Sequence, residues 1–448
     1  MTILSGAIDL VRGLGLTRLA RSTASLSLGT LVSQVVGLAT TPILTRLYSA
    51  HDFGLLSLVL SAAALLAPIA CLRLDLSIPI PRTQQMATAL LQSGALCTLI
   101  VALAITGTAC AFLALGTTLP SIGAPLYLVY LGVMVATSSA TLLLNGWLTR
   151  LTRFRAIAIN LGLLSVITAA SQITFAAGGS SPHSLILGLL LGQIVSVGYL
   201  CWAGVANLPR RVRTSRLSRL RLALFAYRRF YIWSTPGSVF NAASLQLAPL
   251  AALFLFGPEA TGLLYLANRI VTVPLYLVAS TLLRVMVSET TRLVSKEPAR
   301  LFTLFKMTSL SAFALSAPGL ALFFVGSDLV GLMFGAAWRP AGQLAAILYV
   351  NVWFGILAGS CSNLSLLGHN KSETLWEVAR FISLGGVAAS AFFTHPTITV
   401  FAIEISACFS LFYLVLFAMN WRAYGRLAKV GKRLGSGISD GLSDTDAH

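Results

Sequence analysis

Charged side chains interrupt long apolar runs of this 448-residue sequence. Arg269 lies within the run 261–289, and Glu404 lies within the run 397–419. A charge at the centre of a membrane span costs about 2.5–3.5 kcal/mol, so it persists by reaching headgroups, by pairing or by facing water. Guanidinium suits phosphate because its planar fork binds two oxygens and stays protonated. These residues therefore indicate phosphate binding inside a hydrated chamber.

The depths of these charges agree with one another. At 1.5 Å per residue, Arg269 lies roughly 10–12 Å inside the outer end of its run. Glu404 lies about seven residues into its own run from the same side. A direct Arg269–Glu404 ion pair or a shared wet cavity would accommodate both. Arg284 follows fifteen residues after Arg269, about 60° away around the helix, so both arginines share one side.

A second tier of charges is predicted near the inner boundary. Arg73 and Asp75 end the second run, Arg284 belongs to the eighth, and Glu377 and Arg380 are i, i+3 neighbours that can pair on their own helix. Two interpretations stay open for the arginines: they hold a phosphate group, or they snorkel to the headgroups. For Arg380 the second is favoured.

Amide side chains within the runs suit a hydrated interior, although each alone also serves as interhelical glue. The predicted substrate-binding residues are Arg269, Arg284, Arg73, Asn268, Asn241 and Gln34. The predicted ion-coupling residues are Glu404 and Asp75. No catalytic or metal-ligating residue is predicted, because the histidines and cysteines lack ligand spacing.

Composition indicates an all-α integral membrane protein. The chain is 56% hydrophobic and 10% charged, and its mean hydropathy is +0.85, whereas soluble domains carry about 25% charged residues. The net charge of +18 would suggest nucleic acid on a soluble surface. The densest block of positive charge, Arg210–Arg229, instead fits a linker beside anionic lipid, to which each Lys or Arg is attracted by about 1 kcal/mol. Nucleic acid is therefore excluded as a partner.

Twelve transmembrane helices are predicted, since each crossing needs about 20 apolar residues. Of the 31 Lys and Arg residues, 26 fall on the side that holds both termini and 2 on the other, so both termini are predicted to be cytoplasmic. The predicted organisation is an interfacial segment (1–21), a six-helix lobe (22–206), a basic linker (207–229), a second six-helix lobe (230–419) and a basic, then disordered tail (420–448). The longest outer loop, 326–341, is predicted to be interfacial.

The second lobe repeats the first. Gly54 and Gly262 are 208 residues apart, and the Leu-Leu-x-Leu that follows each glycine matches at the same offset. Because each predicted lobe has an even number of spans, the repeats are parallel and related by an axis along the membrane normal. Shared apolar composition is the alternative explanation.

Three segments resemble Wzx-type lipid-linked oligosaccharide flippases of the MOP exporter superfamily: ATTPILTRLYSAHDFGLLSL with LRLDLSIPIPR (39–58 and 72–82), LFGPEATGLLYLANRIVTVPLYLVASTLLRV (255–285) and LSLLGHNKSETLWEVAR (364–380). The resemblance implies a V-shaped pair of lobes around a cavity. The implied substrate is an undecaprenyl-pyrophosphate-linked glycan, moved to the outer leaflet of the bacterial inner membrane. We expect the two lobes to move it by alternating access. Membrane lipids, a polysaccharide polymerase and a chain-length regulator are the implied partners.

Two other functions are weighed. A MATE-like antiporter of cationic drugs or metabolites needs a cavity dominated by acidic residues, whereas the deep charges here are balanced or slightly basic. A membrane-embedded polymerase or glycosyltransferase needs a large extramembrane loop, and the longest outer loop has about sixteen residues. A non-enzymatic transporter is therefore predicted, with coupling to a proton or a sodium gradient left open.

Overall fold

The computed structural model describes residues 17–115, 125–205, 217–293, 298–359 and 370–443, and nearly all of them are helical. Contacts between residues divide the chain into two compact units, Met1–Gly262 and Leu263–His448. The helices are α1 (Thr17–Leu47), α2 (Ala50–Ala70), α3 (Leu74–Ser77), α4 (Gln84–Ala114), α5 (Leu126–Arg150), α6 (Phe154–Ala176), α7 (Pro182–Val205), α8 (Leu217–Ala226), α9 (Arg228–Leu293), α10 (Pro298–Ser316), α11 (Leu322–Phe334), α12 (Arg339–Gly359), α13 (Asn370–Thr394) and α14 (Ile398–Ser443).

Eleven helical segments in the described part of the chain are long and apolar enough to cross a membrane. One of them, Thr235–Leu283, has 49 residues, more than twice the roughly 20 that one crossing requires. It contains Gly257, whose backbone is not helical (φ 81°, ψ 178°). The sequence places one predicted span on each side of this glycine. The predicted twelve helices differ from the eleven segments only at this point, and the count of twelve stays a prediction.

Small residues line the buried face of α2. Ser49 and Asp52 form a capping box at its N-terminus, in which each side chain accepts a hydrogen bond from the other residue's backbone N–H. The buried positions that follow are mostly Gly, Ser and Ala, and these let neighbouring helices approach closely in a membrane, where packing rather than water drives association. The Ser139 hydroxyl of α5, for example, donates to the Ala67 carbonyl at 3.0 Å.

The two glycines of the sequence repeat lie in close backbone contact with each other's segments. A methyl group built on Gly54 would lie 1.8 Å from the carbonyl oxygen of Pro258. A methyl group built on Gly262 would lie 1.8 Å from the carbonyl oxygen of Ala50. Residues 50 and 258 are also 208 apart, so each glycine abuts the residue four positions before the other glycine. A local two-fold relation between residues 50–54 and 258–262 produces this reciprocal contact.

The second unit follows the same packing principles. Helix α14 packs along α12, and α12 packs along α11. The α11–α12 crossing again depends on glycine, since a methyl group on Gly342 would lie 2.4 Å from the carbonyl oxygen of Gly326. The Ser406 hydroxyl of α14 donates to the Ile347 carbonyl of α12 at 2.8 Å. Buried aromatic and aliphatic side chains complete a core around Phe305 and Tyr424.

Three predicted segments have a different structure. Helix α2 ends at Ala70, so the second span, which the apolar run of the sequence predicts over 53–78, stops earlier and places Arg73 and Asp75 beyond it. The predicted outer loop 326–341 is largely helical, and an exposed Arg339–Asp328 ion pair (2.7 Å) joins its two ends. Helix α14 continues to Ser443, since extending an anchored helix requires no new nucleation, so the predicted disorder of the tail does not begin before that residue.

Candidate functional site

A sharp corner between α2 and α3 contains two of the predicted site residues. The N–H of Leu72 donates to Ile69 (3.0 Å) and that of Arg73 donates to Pro68 (3.1 Å), which is the hydrogen-bond pattern of a Schellman helix end. That motif usually places glycine where the backbone is left-handed. Here Leu72 (φ 51°) and Arg73 (φ 50°) both adopt the left-handed conformation. Such non-glycine conformations cost of order 1–3 kcal/mol each and cluster at functional sites.

The Arg73 side chain is held by two partners. Its Nε donates to the Ser238 hydroxyl at 3.1 Å, and its Nη1 lies 3.5 Å from Asp75 Oδ2. The second distance exceeds the 2.7–2.9 Å of a strong charge-assisted hydrogen bond, so Asp75 neutralises the guanidinium only in part. The Arg73 side chain retains 23% of its exposure, and an approaching anion therefore has access to it.

Asp75 is a poorly satisfied carboxylate beside this arginine. Its side chain is 9% exposed, and its Oδ1 has no hydrogen-bond partner in the described part of the chain. The corner packs tightly on α5, because a methyl group on Gly146 would lie 2.3 Å from the Asp75 carbonyl oxygen. Asp75 lies outside the membrane-spanning helices. Burial raises the pKa of its carboxyl group, and the neighbouring Arg73 opposes this rise without cancelling it.

Two hydroxyl groups at the start of α9 complete the corner, and sequence analysis missed them. The Thr235 hydroxyl donates to the Leu72 carbonyl at 3.3 Å, and Ser238 accepts from Arg73. The stretch SerThrProGlySer (234–238) is unusually polar for the start of an apolar run. That polarity was the available signal, but the sequence does not show which residues the hydroxyls contact.

The deeper basic residues lie on the part of α9 that belongs to the second unit. Arg269 is half-buried, and its Nη1 donates to the hydroxyl of Tyr265, one turn earlier, at 3.1 Å. Asn268 is exposed and accepts a hydrogen bond from Thr272 at 3.1 Å. The backbone of Arg284 is helical, whereas its side chain lies outside the described part of the structure.

The pair predicted between Arg269 and Glu404 stays a prediction, as does the alternative of a shared wet cavity. Glu404 Oε2 is buried and has no hydrogen-bond partner among the described residues. Within the described residues, no group of three or more His, Cys, Asp or Glu side chains could hold a metal ion.

The Arg380 side chain is buried against a carboxylate and aromatic rings. The residue is 2% exposed, its Nη2 donates to Glu377 Oε2 at 2.6 Å, and its guanidinium lies 4.4 Å from the ring centre of Trp376. The Phe409 ring of α14 lies on the same guanidinium at 5.9 Å. The predicted pairing of Arg380 with Glu377 on their own helix is thus confirmed, and snorkelling to the headgroups is wrong for this residue because aromatic rings enclose it.

Two predicted residues remain to be placed. Gln34 is half-exposed on α1, and Asn241 is exposed on α9, one turn beyond Ser238. Of the eight predicted site residues, the structure joins Arg73 and Asp75 directly.

Comparison with known proteins identifies the family. Residues 19–287, more than half of the chain, match the family model described as "Polysaccharide biosynthesis protein". The chain belongs to this family. A sequence comparison with curated proteins gave no significant match.

Solved transporter structures share the fold of this chain. The lipid II flippase MurJ, in an inward closed conformation, aligns with a TM-score of 0.70 at 12% identity, covering 94% of this chain and 92% of MurJ. An inward-facing multidrug resistance MATE transporter of the MOP superfamily aligns at 0.59 and 15% identity, with coverages of 90% and 95%. A MOP superfamily transporter from Pyrococcus furiosus, whose reversed binding-pocket polarity suggests a different function, aligns at 0.56 and 16% identity, with coverages of 94% and 98%. The family member therefore has the MOP transporter fold and is a multi-pass membrane protein.

Proposed function

We propose that this protein is a flippase that moves an undecaprenyl-pyrophosphate-linked oligosaccharide from the cytoplasmic to the outer leaflet of the bacterial inner membrane. The polysaccharide biosynthesis family and the MOP transporter fold support a lipid-linked glycan as the substrate. The concentration of Lys and Arg on one side supports cytoplasmic termini. A polysaccharide polymerase and a chain-length regulator would then use the translocated product.

The observation that carries the proposal is the partly neutralised guanidinium of Arg73. A diphosphate offers several anionic oxygens, and a guanidinium binds two of them at once. Because the Arg73–Asp75 distance is 3.5 Å, the diphosphate would replace a weak ion pair with a stronger one. Arg269, whose Nη1 donates to the neutral hydroxyl of Tyr265, supplies a second candidate contact.

Membrane potential gives the transport a direction. An inside-negative potential favours outward movement of a net anion by about 2.3 kcal/mol per charge per 100 mV. Asp75 and Glu404 each have a buried carboxylate oxygen without a hydrogen-bond partner in the described residues. Either carboxylate is a candidate for exchanging a proton or a sodium ion during the cycle.

Reconstitution tests the proposal. The protein is placed in liposomes with an undecaprenyl-pyrophosphate oligosaccharide whose sugar carries a fluorophore, and the rate at which external dithionite bleaches the inner pool is measured. Losing hydrogen bonds to a charged group costs about 1.5–3 kcal/mol, so Arg73→Ala should slow translocation roughly 10- to 150-fold. Arg73→Lys should recover only part of the rate, because a point charge lacks the bidentate fork.

The matched control is Arg82→Ala, since Arg82 is an exposed arginine nine residues from Arg73. It should translocate at the wild-type rate. Arg269→Ala should also slow translocation. Wild-type protein that fails to translocate the labelled lipid, or an Arg73→Ala variant as fast as wild type, contradicts the proposal.

A MATE-like cation antiporter is the second candidate. The buried, unpartnered Glu404 oxygen favours it, because a carboxylate inside a membrane helix attracts an organic cation. In liposomes without lipid-linked glycan, uptake of a fluorescent cation such as ethidium that depends on Glu404 would support this candidate. Glycan translocation that survives Glu404→Gln while no cation is transported would exclude it.

A further inference from the structure

The backbone of the α2–α3 corner is held in an unfavourable shape by groups from another helix. Leu72 and Arg73 are consecutive left-handed residues without glycine, a combination that should relax unless neighbouring contacts determine it. The Thr235 hydroxyl donates a hydrogen bond to the Leu72 carbonyl at 3.3 Å. Helix α9 therefore stabilises the corner at the peptide that leads into Arg73.

The side chain of Arg73 is oriented from the same helix. Ser238 lies three residues after Thr235, so the two hydroxyls fall on one face of α9. By accepting from Nε at 3.1 Å, Ser238 occupies the donor nearest the aliphatic stem. The two η nitrogens carry the guanidinium's remaining N–H groups, and Nη1 lies 3.5 Å from Asp75 Oδ2.

We propose that Ser238 and Thr235 are positioning residues that set the guanidinium of Arg73 for a diphosphate: Ser238 fixes the side chain and Thr235 fixes the corner backbone. The inference rests on the proposed function, because it takes the lipid diphosphate as the ligand of Arg73. Neither hydroxyl touches the diphosphate. Each hydroxyl limits the conformations that Arg73 adopts before the ligand binds, so less conformational entropy is lost on binding.

Binding of farnesyl diphosphate, a short soluble lipid diphosphate, provides the first measurement. Ser238→Ala should raise its Kd by about 10- to 100-fold, the range expected when a supporting contact of a binding group is lost. Ser238→Thr should restore binding, because it returns the hydroxyl. Thr235→Val keeps the shape and removes the hydroxyl, and it should weaken binding likewise.

The matched control is Ser244→Ala on the same helix, because the Ser244 hydroxyl donates to the Phe240 carbonyl of α9 itself at 2.8 Å. This variant should bind farnesyl diphosphate as wild type does. A Ser238→Ala variant whose Kd equals that of wild type, or a Ser244→Ala variant that loses as much affinity, overturns the positioning role.

A ligand-free measurement separates this inference from the proposed function. The Nε–H resonance of Arg73 in nitrogen-15 spectra, assigned by its loss in Arg73→Lys, should exchange slowly with water in wild type and faster in Ser238→Ala. If wild type binds no diphosphate and the exchange still accelerates, the proposed function fails while the orienting contact stands. If the exchange rate is the same in both proteins, the positioning role fails even where diphosphate binds.

Discussion

The reciprocal glycine contact makes a sharp prediction about stability. A methyl group on Gly262 would lie 1.8 Å from the Ala50 carbonyl oxygen, whereas real Cβ atoms keep at least 3.0 Å from such an atom. In Gly262→Ala the two segments must therefore separate by about 1.2 Å. The obstacle is backbone, so no side chain can rotate to relieve the contact.

The size of the effect follows from two opposing terms. Overpacking costs about 1–3 kcal/mol, and a backbone obstacle places this site near the upper end. Replacing glycine by alanine within a helix returns up to about 1 kcal/mol. The expected net loss is about 2 kcal/mol in the free energy of unfolding, for Gly262→Ala and equally for its repeat partner Gly54→Ala.

Unfolding by sodium dodecyl sulfate in mixed micelles, followed by tryptophan fluorescence, measures this loss. The control is Gly198→Ala on α7, where nothing lies within 4 Å of the added methyl group, and it should be neutral or slightly stabilising. The Gly54→Ala/Gly262→Ala double variant should lose less than the sum of the single losses, because one separation relieves both contacts. Gly262→Ala as stable as Gly198→Ala, or full additivity in the double variant, would refute the contact.

Three further predictions concern charged side chains. The raised pKa of Asp75 gives stability that is full below the ordinary aspartate pKa and is lost as pH rises through the raised value. Asp75→Asn should therefore stabilise the protein at neutral pH, with a gain that shrinks on acidification; a constant gain would count against the assignment. Glu377→Gln leaves the buried guanidinium of Arg380 without its carboxylate partner and should lower the free energy of unfolding by about 3–5 kcal/mol in the same assay. The double variant Glu377→Leu/Arg380→Met should be nearly neutral. Equal losses in the two variants would contradict this prediction. Arg150→Ala removes the donors to the carbonyls of Ile78 (3.4 Å), Pro79 (3.3 Å) and Pro81 (2.6 Å). Trypsin or elastase should then cut the connection between α3 and α4 faster. Unchanged cleavage would argue that Arg150 does not stabilise this connection.

The membrane helices were predictable because their signal is long and redundant. Apolar runs of about 20 residues identify crossings without reference to any partner helix, and every described membrane helix falls on such a run. The pairing of Glu377 with Arg380 was equally accessible, since i, i+3 geometry is local. Local patterns of this kind predict structure without information about distant residues.

The corner at Arg73 was not predictable for a physical reason. No glycine or proline stands at positions 72 and 73 to mark the helix end, so hydropathy extends the span to residue 78. The turn is stabilised by Thr235, which is 163 residues away. The 208-residue repeat was visible in the sequence, but the contact between its two glycines was not, because an offset identifies equivalent residues and does not say which of them touch.

The close fit at residues 258–262 has a practical consequence for experiments that map which side of the membrane each connection faces. Such experiments insert a reporter enzyme or an epitope at a predicted loop. Pro258 lies against Gly54 and Gly262 lies against Ala50, so a tag inserted between Pro258 and Gly262 would disrupt folding before it could report sidedness. The exposed connection at residues 177–180, where Gly179 has open surroundings, is the better insertion point for determining the orientation of the whole chain.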